Sequence, residues 1–216
     1  MLQQIGDLMI LYFHGFGSAG GGPKYDMLKE RFEGRTPVYS PDIPTDPSEV
    51  PEMVRRFVLH HIASERDGPV VFVGSSLGGF YAAYFAAKWD VNCVLVNPSF
   101  EPSVGLTRAI GTVNDFRGGT FEWTMDHCRS LAAMTYDIMA GPSNGALTHL
   151  FVTKDDDVCP MARTFQLCPY RAWTQVFEDG GHRQIDHFPE VVDYIDTTFF
   201  GPLGRQYLVE PGLTQE

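Results

Sequence analysis

A chain of 216 residues that is 44% hydrophobic and 20% charged can bury one sizeable core, which excludes a disordered or fibrous protein and predicts a single domain over residues 1–200. Its 27 acidic against 16 basic side chains leave a formal charge of -11, a field that repels phosphate backbones and anionic lipid, so nucleic acid is not an expected partner. The longest unbroken apolar run, FYAAYFAA, is far too short for a membrane span.

In chain order, the apolar run DLMILYF (7–13) predicts a buried strand directly behind an N-terminus with no basic leader, so no signal peptide is expected. The following loop contains a literal G-x-G-x-x-G at Gly15, Gly17 and Gly20, and Asp42 stands where a ribose-binding acid would be sought. The next helix cannot start before Pro23, however, which strands Gly20 in the loop and argues against a dinucleotide cradle. A weak strand at PVYS (37–40) precedes a helix over 48–64, with Ser48 as its cap and Val50, Met53, Val54, Phe57, Val58 and Ile62 as its apolar stripe. PVVFVG (69–74) and NCVLVN (92–97) predict strands on either side of a helix over 76–89 that is apolar nearly all round. Residues 98–144 offer no clean strand and are read as an insertion, about 99–146, that caps one end of the sheet. LTHLFVT (147–153) and WTQVFE (173–178) complete the strands, a terminal helix holds His187, and 201–216 form a tail. Such alternation predicts an α/β fold with a mostly parallel central sheet and helices on both faces.

The chemistry gathers at VVFVGSSLGGF. Gly74-Ser75-Ser76-Leu77-Gly78 is a G-x-S-x-G motif at a strand-to-helix junction, where a sharp elbow lifts the serine hydroxyl above the sheet edge and demands small residues two positions to either side. Ser76 has glycine at both places, whereas Ser75 would have Val73 and Leu77, so Ser76 is the candidate nucleophile; a glycine-rich turn without chemistry is the plain alternative. A hydroxyl needs a base oriented by a third group. Of seven histidines only His182, in VFEDGGHRQ, lies on a loop after the last strand; His60 and His61 fit helix packing, and His14 fits a loop brace. The acid comes from Asp155, Asp156 or Asp157, and the D-x-V-x-P phasing favours Asp156, with Val158 packed inward. The backbone amides of Phe16 and Leu77 stand where acyl transfer needs an oxyanion hole. Phe16, Phe121 and Trp123 are candidates to line an acyl pocket, plain packing being the competing reading.

YFHGFGSAGGGPK, GSSLGGFYAAYFA, VNPSFEP, TKDDDV and GGHRQ, in this order, resemble the YqiA-like esterases, small bacterial proteins of the α/β-hydrolase fold, over roughly residues 8–198. The resemblance implies a Ser-Asp-His esterase or thioesterase, carried here on Ser76, Asp156 and His182.

The expected activity is hydrolysis of a small-molecule carboxylic ester or thioester without metal or cofactor, since no H-E-x-x-H, phosphate-loop or EF-hand motif occurs. Two alternatives stand beside it: a binding or partner protein of the same fold with a vestigial triad, and a nucleotide-dependent oxidoreductase. Cys93, Cys128, Cys159 and Cys168 form no C-x-x-C pair and fit reduced thiols in the cytoplasm.

Overall fold

The computed structural model describes residues 8–64, 69–138, 147–168 and 171–201; all but the first residue of the expected tail 201–216, and the end of the insertion at 139–146, lie outside them. Strands β1 (Met9–Phe13), β2 (Val38–Tyr39), β3 (Val70–Ser75) and β4 (Asn92–Val96) are interleaved with helices α1 (Pro23–Phe32), α2 (Val50–Ser64) and α3 (Leu77–Trp89). Between β4 and the next strand of the main sheet come α4 (Pro102–Gly105), a hairpin of β5 (Gly111–Asn114) and β6 (Thr120–Trp123), and α5 (Met125–Ile138). The chain closes with β7 (Thr148–Thr153), α6 (Met161–Leu167), β8 (Arg171–Phe177) and α7 (Phe188–Ile195).

Six strands pair in the order β2-β1-β3-β4-β7-β8, every neighbour parallel. The apolar runs explain this: a parallel strand covered on both faces needs hydrophobic residues at every position, with alternate ones serving opposite layers. In β1, Met9, Leu11 and Phe13 enter one core, with α2 and α3, while Ile10 and Tyr12 enter the other, with α1 and α7. Helix α3 is buried through most of its circumference, as its all-apolar sequence requires. Val50, Val54 and Val58 of α2 are fully buried at i, i+4 spacing, and Met53 and Phe57 pack beside them; the side chain of Ile62 lies outside the described residues. No helix among the described residues is long and apolar enough to cross a membrane.

Four expectations are corrected. The insertion does contain strands: β5 and β6 pair antiparallel, closed by a turn in which Asp115 Oδ1 accepts from the amides of Arg117 and Gly119, both at 2.8 Å. Ser48 does not cap α2; Asp46 accepts from the Ser48 amide at 2.9 Å and opens a single 3₁₀ turn, Pro47–Glu49, ahead of the helix, because a carboxylate upstream of the turn outcompetes a hydroxyl inside it. His187 precedes α7 instead of lying in it. Val158 is 41% exposed rather than packed inward.

The loop after β1 shows why the G-x-G-x-x-G pattern is not a phosphate cradle. Helix α1 starts at Pro23, which tolerates the first turn because its missing N–H would find no intrahelical acceptor there. The Gly20 amide donates to Asp42 Oδ1 at 2.6 Å, and a Cβ on Gly20 would come within 2.3 Å of the Ser40 carbonyl oxygen. Asp42 is further engaged by Arg117 at the hairpin turn, at 2.8 and 3.0 Å, so the acid serves the loop itself.

Candidate active site

All the residues singled out for chemistry sit beyond the carboxyl ends of the strands, the edge at which ligands bind in open parallel sheets. The chain order reverses between β1 and β3, so the loop after β1 and the elbow after β3 face each other there. Ser76 has φ 57 and ψ -124, a conformation that non-glycine residues rarely adopt. The flanking glycines permit it by close approach. A Cβ at Gly74 would stand 2.1 Å from the Gly78 carbonyl oxygen, and one at Gly78 would stand 2.0 Å from the Phe13 carbonyl oxygen. The Ser76 amide donates to Val96 O at 3.1 Å and its carbonyl accepts from Ser99 N at 3.0 Å, which registers the elbow against β4 and its loop.

From this elbow one hydrogen-bonded chain runs inward. Ser76 Oγ lies 2.8 Å from His182 Nε2, and His182 Nδ1 lies 2.9 Å from Asp156 Oδ2 and 3.1 Å from its Oδ1. With Nδ1–H donating to the carboxylate, Nε2 is free to accept the serine proton. The Asp156 side chain is fully buried and that of His182 is 20% exposed. Asp156 Oδ1 also accepts from the amides of Val158 at 2.9 Å and Cys159 at 2.8 Å, so the buried carboxyl oxygens are supplied with donors. Its neighbours do other work. Asp155 accepts from the Gly181 amide at 2.9 Å and so ties the acid loop to the histidine loop.

Asn97, which sequence reasoning met only inside V-N-P, proves central. It is fully buried with φ 42; its Oδ1 accepts from Thr153 N at 3.0 Å, and its Nδ2 donates to Thr153 Oγ1, Gly181 O and His182 O at 3.1, 2.9 and 3.2 Å. One side chain thus joins the ends of β4 and β7 to the loop that carries His182.

Lys24 was missed altogether. It occupies the first turn of α1, is 7% exposed, and donates to Ser75 Oγ at 2.7 Å, immediately before the elbow serine. Burial, reinforced by the charge of Arg183, pushes its ammonium down to about 7 against the opposing pull of Asp156. Nothing in its local sequence marks it, because its environment is made by residues about 50 positions away.

His14 behaves as the brace it was expected to be. The Ile43 amide donates to its Nε2 at 3.1 Å, so Nδ1–H donates to Gly15 O at 3.0 Å, and burial lowers its pKa. Gly15 to Ser18 form a turn, Ser18 N donating to Gly15 O at 3.2 Å with Gly17 at φ 68. A Cβ on Gly15 would lie 3.5 Å from Ser76 Cβ, so Phe16 follows a residue in contact with the serine. Leu77 opens α3, and its amide has no acceptor within the helix.

The three aromatics do come together. The Phe16 ring meets Phe121 at 5.6 Å and Trp123 at 4.8 Å, both edge to face, and all three line a cavity of about 280 Å³ with Leu77 and Tyr81. A second cavity of about 300 Å³ contains Ser76 and His182 and shares Phe16 with the first. Asp156, Cys159 and His182 offer three metal-ligand atoms within 4.8 Å of one another. Their donor sets do not suit a cation: Asp156 is engaged by His182 and two amides, and burial, followed by the Asp156 charge, pushes the Cys159 thiol up to about 12.

A family model described as Uncharacterised protein family (UPF0227) matches residues 9–199. Est1E from Butyrivibrio proteoclasticus superposes with a TM-score of 0.70 at 13% identity, over 90% of this chain and 87% of that one. The esterase domain of a Rhodothermus marinus protein gives 0.66 at 14%, over 95% and 90%. A monoacylglycerol lipase from Paleococcus ferrophilus gives 0.64 at 14%, over 88% and 96%. At such identities the likeness is one of fold, and the fold is that of the α/β-hydrolases.

Proposed function

This chain belongs to the UPF0227 family, the YqiA-like proteins, and from that premise we propose that it is a serine hydrolase that cleaves carboxylic esters or thioesters through an acyl-enzyme. The observation that carries the reading is the continuous chain from Ser76 Oγ through His182 to Asp156, with links of 2.8 and 2.9 Å. In the proposed mechanism Ser76 Oγ attacks the carbonyl carbon while His182 Nε2 takes its proton, and Asp156 stabilises the imidazolium through Nδ1–H. The amides of Phe16 and Leu77 hold the oxyanion, a contribution of about a hundredfold or more in rate per donor. His182 then protonates the leaving alcohol or thiol, and water, activated by the same imidazole, releases the acid. The cavity of Phe16, Phe121 and Trp123 suits the acyl chain. The esterase and lipase among the structural neighbours support an ester substrate, and four free thiols favour a reducing, cytoplasmic setting.

A fluorophosphonate probe tests the central claim, since only an activated serine is labelled. Wild type is expected to label and to hydrolyse a chain-length series of chromogenic esters and acyl-CoAs. Ser76→Ala is expected to lose labelling and to fall by about 10⁴-fold or more in kcat, with stability nearly unchanged. An unlabelled wild type that cleaves none of the series would make the protein a binding module with a vestigial triad.

A further inference from the structure

Positive charge is distributed unevenly in this acidic molecule. Arg108, between α4 and β5, Arg183, next to His182, and Lys24 all line the 300 Å³ cavity that contains Ser76, and no carboxylate among the described residues lines it. Elsewhere seven arginines hold ion pairs with Asp or Glu, and Arg171 donates to two backbone carbonyls. Among the described residues Arg108 and Arg183 have no carboxylate partner. In a chain of net charge -11, leaving these two cations uncompensated at one cavity creates a local positive field that opposes the field of the whole.

Lys24 and Arg183 are also held in place. Lys24 is 7% exposed and spends one N–H on Ser75, which leaves two further donors on its ammonium. The Arg183 guanidinium lies 5.5 Å from the centre of the Phe116 ring, and the Phe116 amide donates to Gly17 O at 2.9 Å, so the hairpin turn, the loop after β1 and the arginine form one rim.

Building on the esterase reading, we propose that the substrate is an anionic ester: an ester or thioester that carries a carboxylate or phosphate, held by Arg108, Arg183 and Lys24 while its carbonyl meets Ser76. Arginine suits this task because its planar fork presents paired donors to either oxyanion.

The test compares mono(4-nitrophenyl) glutarate with neutral 4-nitrophenyl pentanoate, and butyryl glycerol 3-phosphate with monobutyryl glycerol, on wild type, Arg108→Gln, Arg183→Gln and the double variant. Wild type is expected to favour the charged member of one pair by at least tenfold in kcat/KM, and the pair that shows it identifies the anion. The double variant is expected to lose that preference, its kcat/KM falling at least tenfold more on the charged member of the pair than on the neutral one. Calorimetry of glutarate and inorganic phosphate on Ser76→Ala protein gives a readout free of turnover, with binding at least tenfold weaker once both arginines are replaced. Equal rates within both pairs, or anion binding that the double substitution leaves untouched, would overturn the anion site while leaving labelling of Ser76 intact. Anion binding that depends on the arginines, in a protein the fluorophosphonate does not label, would sink the esterase reading instead and leave the site standing.

Discussion

Two glycine-rich turns meet at the carboxyl edge of the sheet, and they use glycine for different reasons. In the elbow after β3, a Cβ at Gly74 or Gly78 would run into backbone carbonyl oxygens at 2.1 and 2.0 Å, and one at Gly79 into the Pro98 ring at 2.8 Å; these glycines exist because neighbouring segments touch. In the loop after β1, Gly21 and Gly22 face open space and are distinguished only by φ values of 97 and 90. A glycine pattern set by contact is tied to one geometry. Dihedral freedom fits many loops, but Gly20, the third glycine of G-x-G-x-x-G, is itself set by contact with Ser40 and Asp42, so that pattern misleads here because its last glycine is folded onto the neighbouring loop and not onto a helix start.

That contrast can be broken by substitution. Gly78→Ala is expected to cost about 3 kcal/mol or more, because the obstacle is the carbonyl of Phe13 in a central strand and cannot yield; urea unfolding measures it, and a loss below 1 kcal/mol would show that the two backbones part easily. Lys24 sharpens the comparison, since it leaves the first turn's helix to bond Ser75 at the second. Its folded pKa of about 7 lies below the ordinary 10.5, so between these values the unfolded chain binds more protons than the folded one. Stability should rise with pH across that window, with a slope of at most about 1.4 kcal/mol per pH unit. Lys24→Met should flatten the rise, as unfolding curves at pH 7, 8 and 9 would reveal. Gly22→Ala should cost least, about 1 kcal/mol, from backbone strain alone; labelling by the fluorophosphonate should persist.

What was legible in the sequence follows the same division. Parallel strands buried on both faces announce themselves as apolar runs, so all six strands of the main sheet are found within a residue or two of their places. The spacing around Ser76 and the loop positions of Asp156 and His182 point to the three side chains that now form one hydrogen-bonded chain. The hairpin escaped notice because β5 and β6 have four residues each, half exposed; its signal was the turn chemistry of Asp115, Gly118 and Gly119 between alternating residues. Lys24, Asn97 and the two rim arginines left no local trace, since their significance comes from contacts that only the folded chain assembles.

The carboxamide of Asn97 carries a lesson for anyone who would retool this protein. The acid strand and the histidine loop are both moored to it, so two segments that come from distant parts of the chain share one anchor. Anyone who reshapes the rim should therefore leave position 97 alone, because removing its carboxamide takes a partner from the Thr153 amide and from the Gly181 and His182 carbonyls at one stroke.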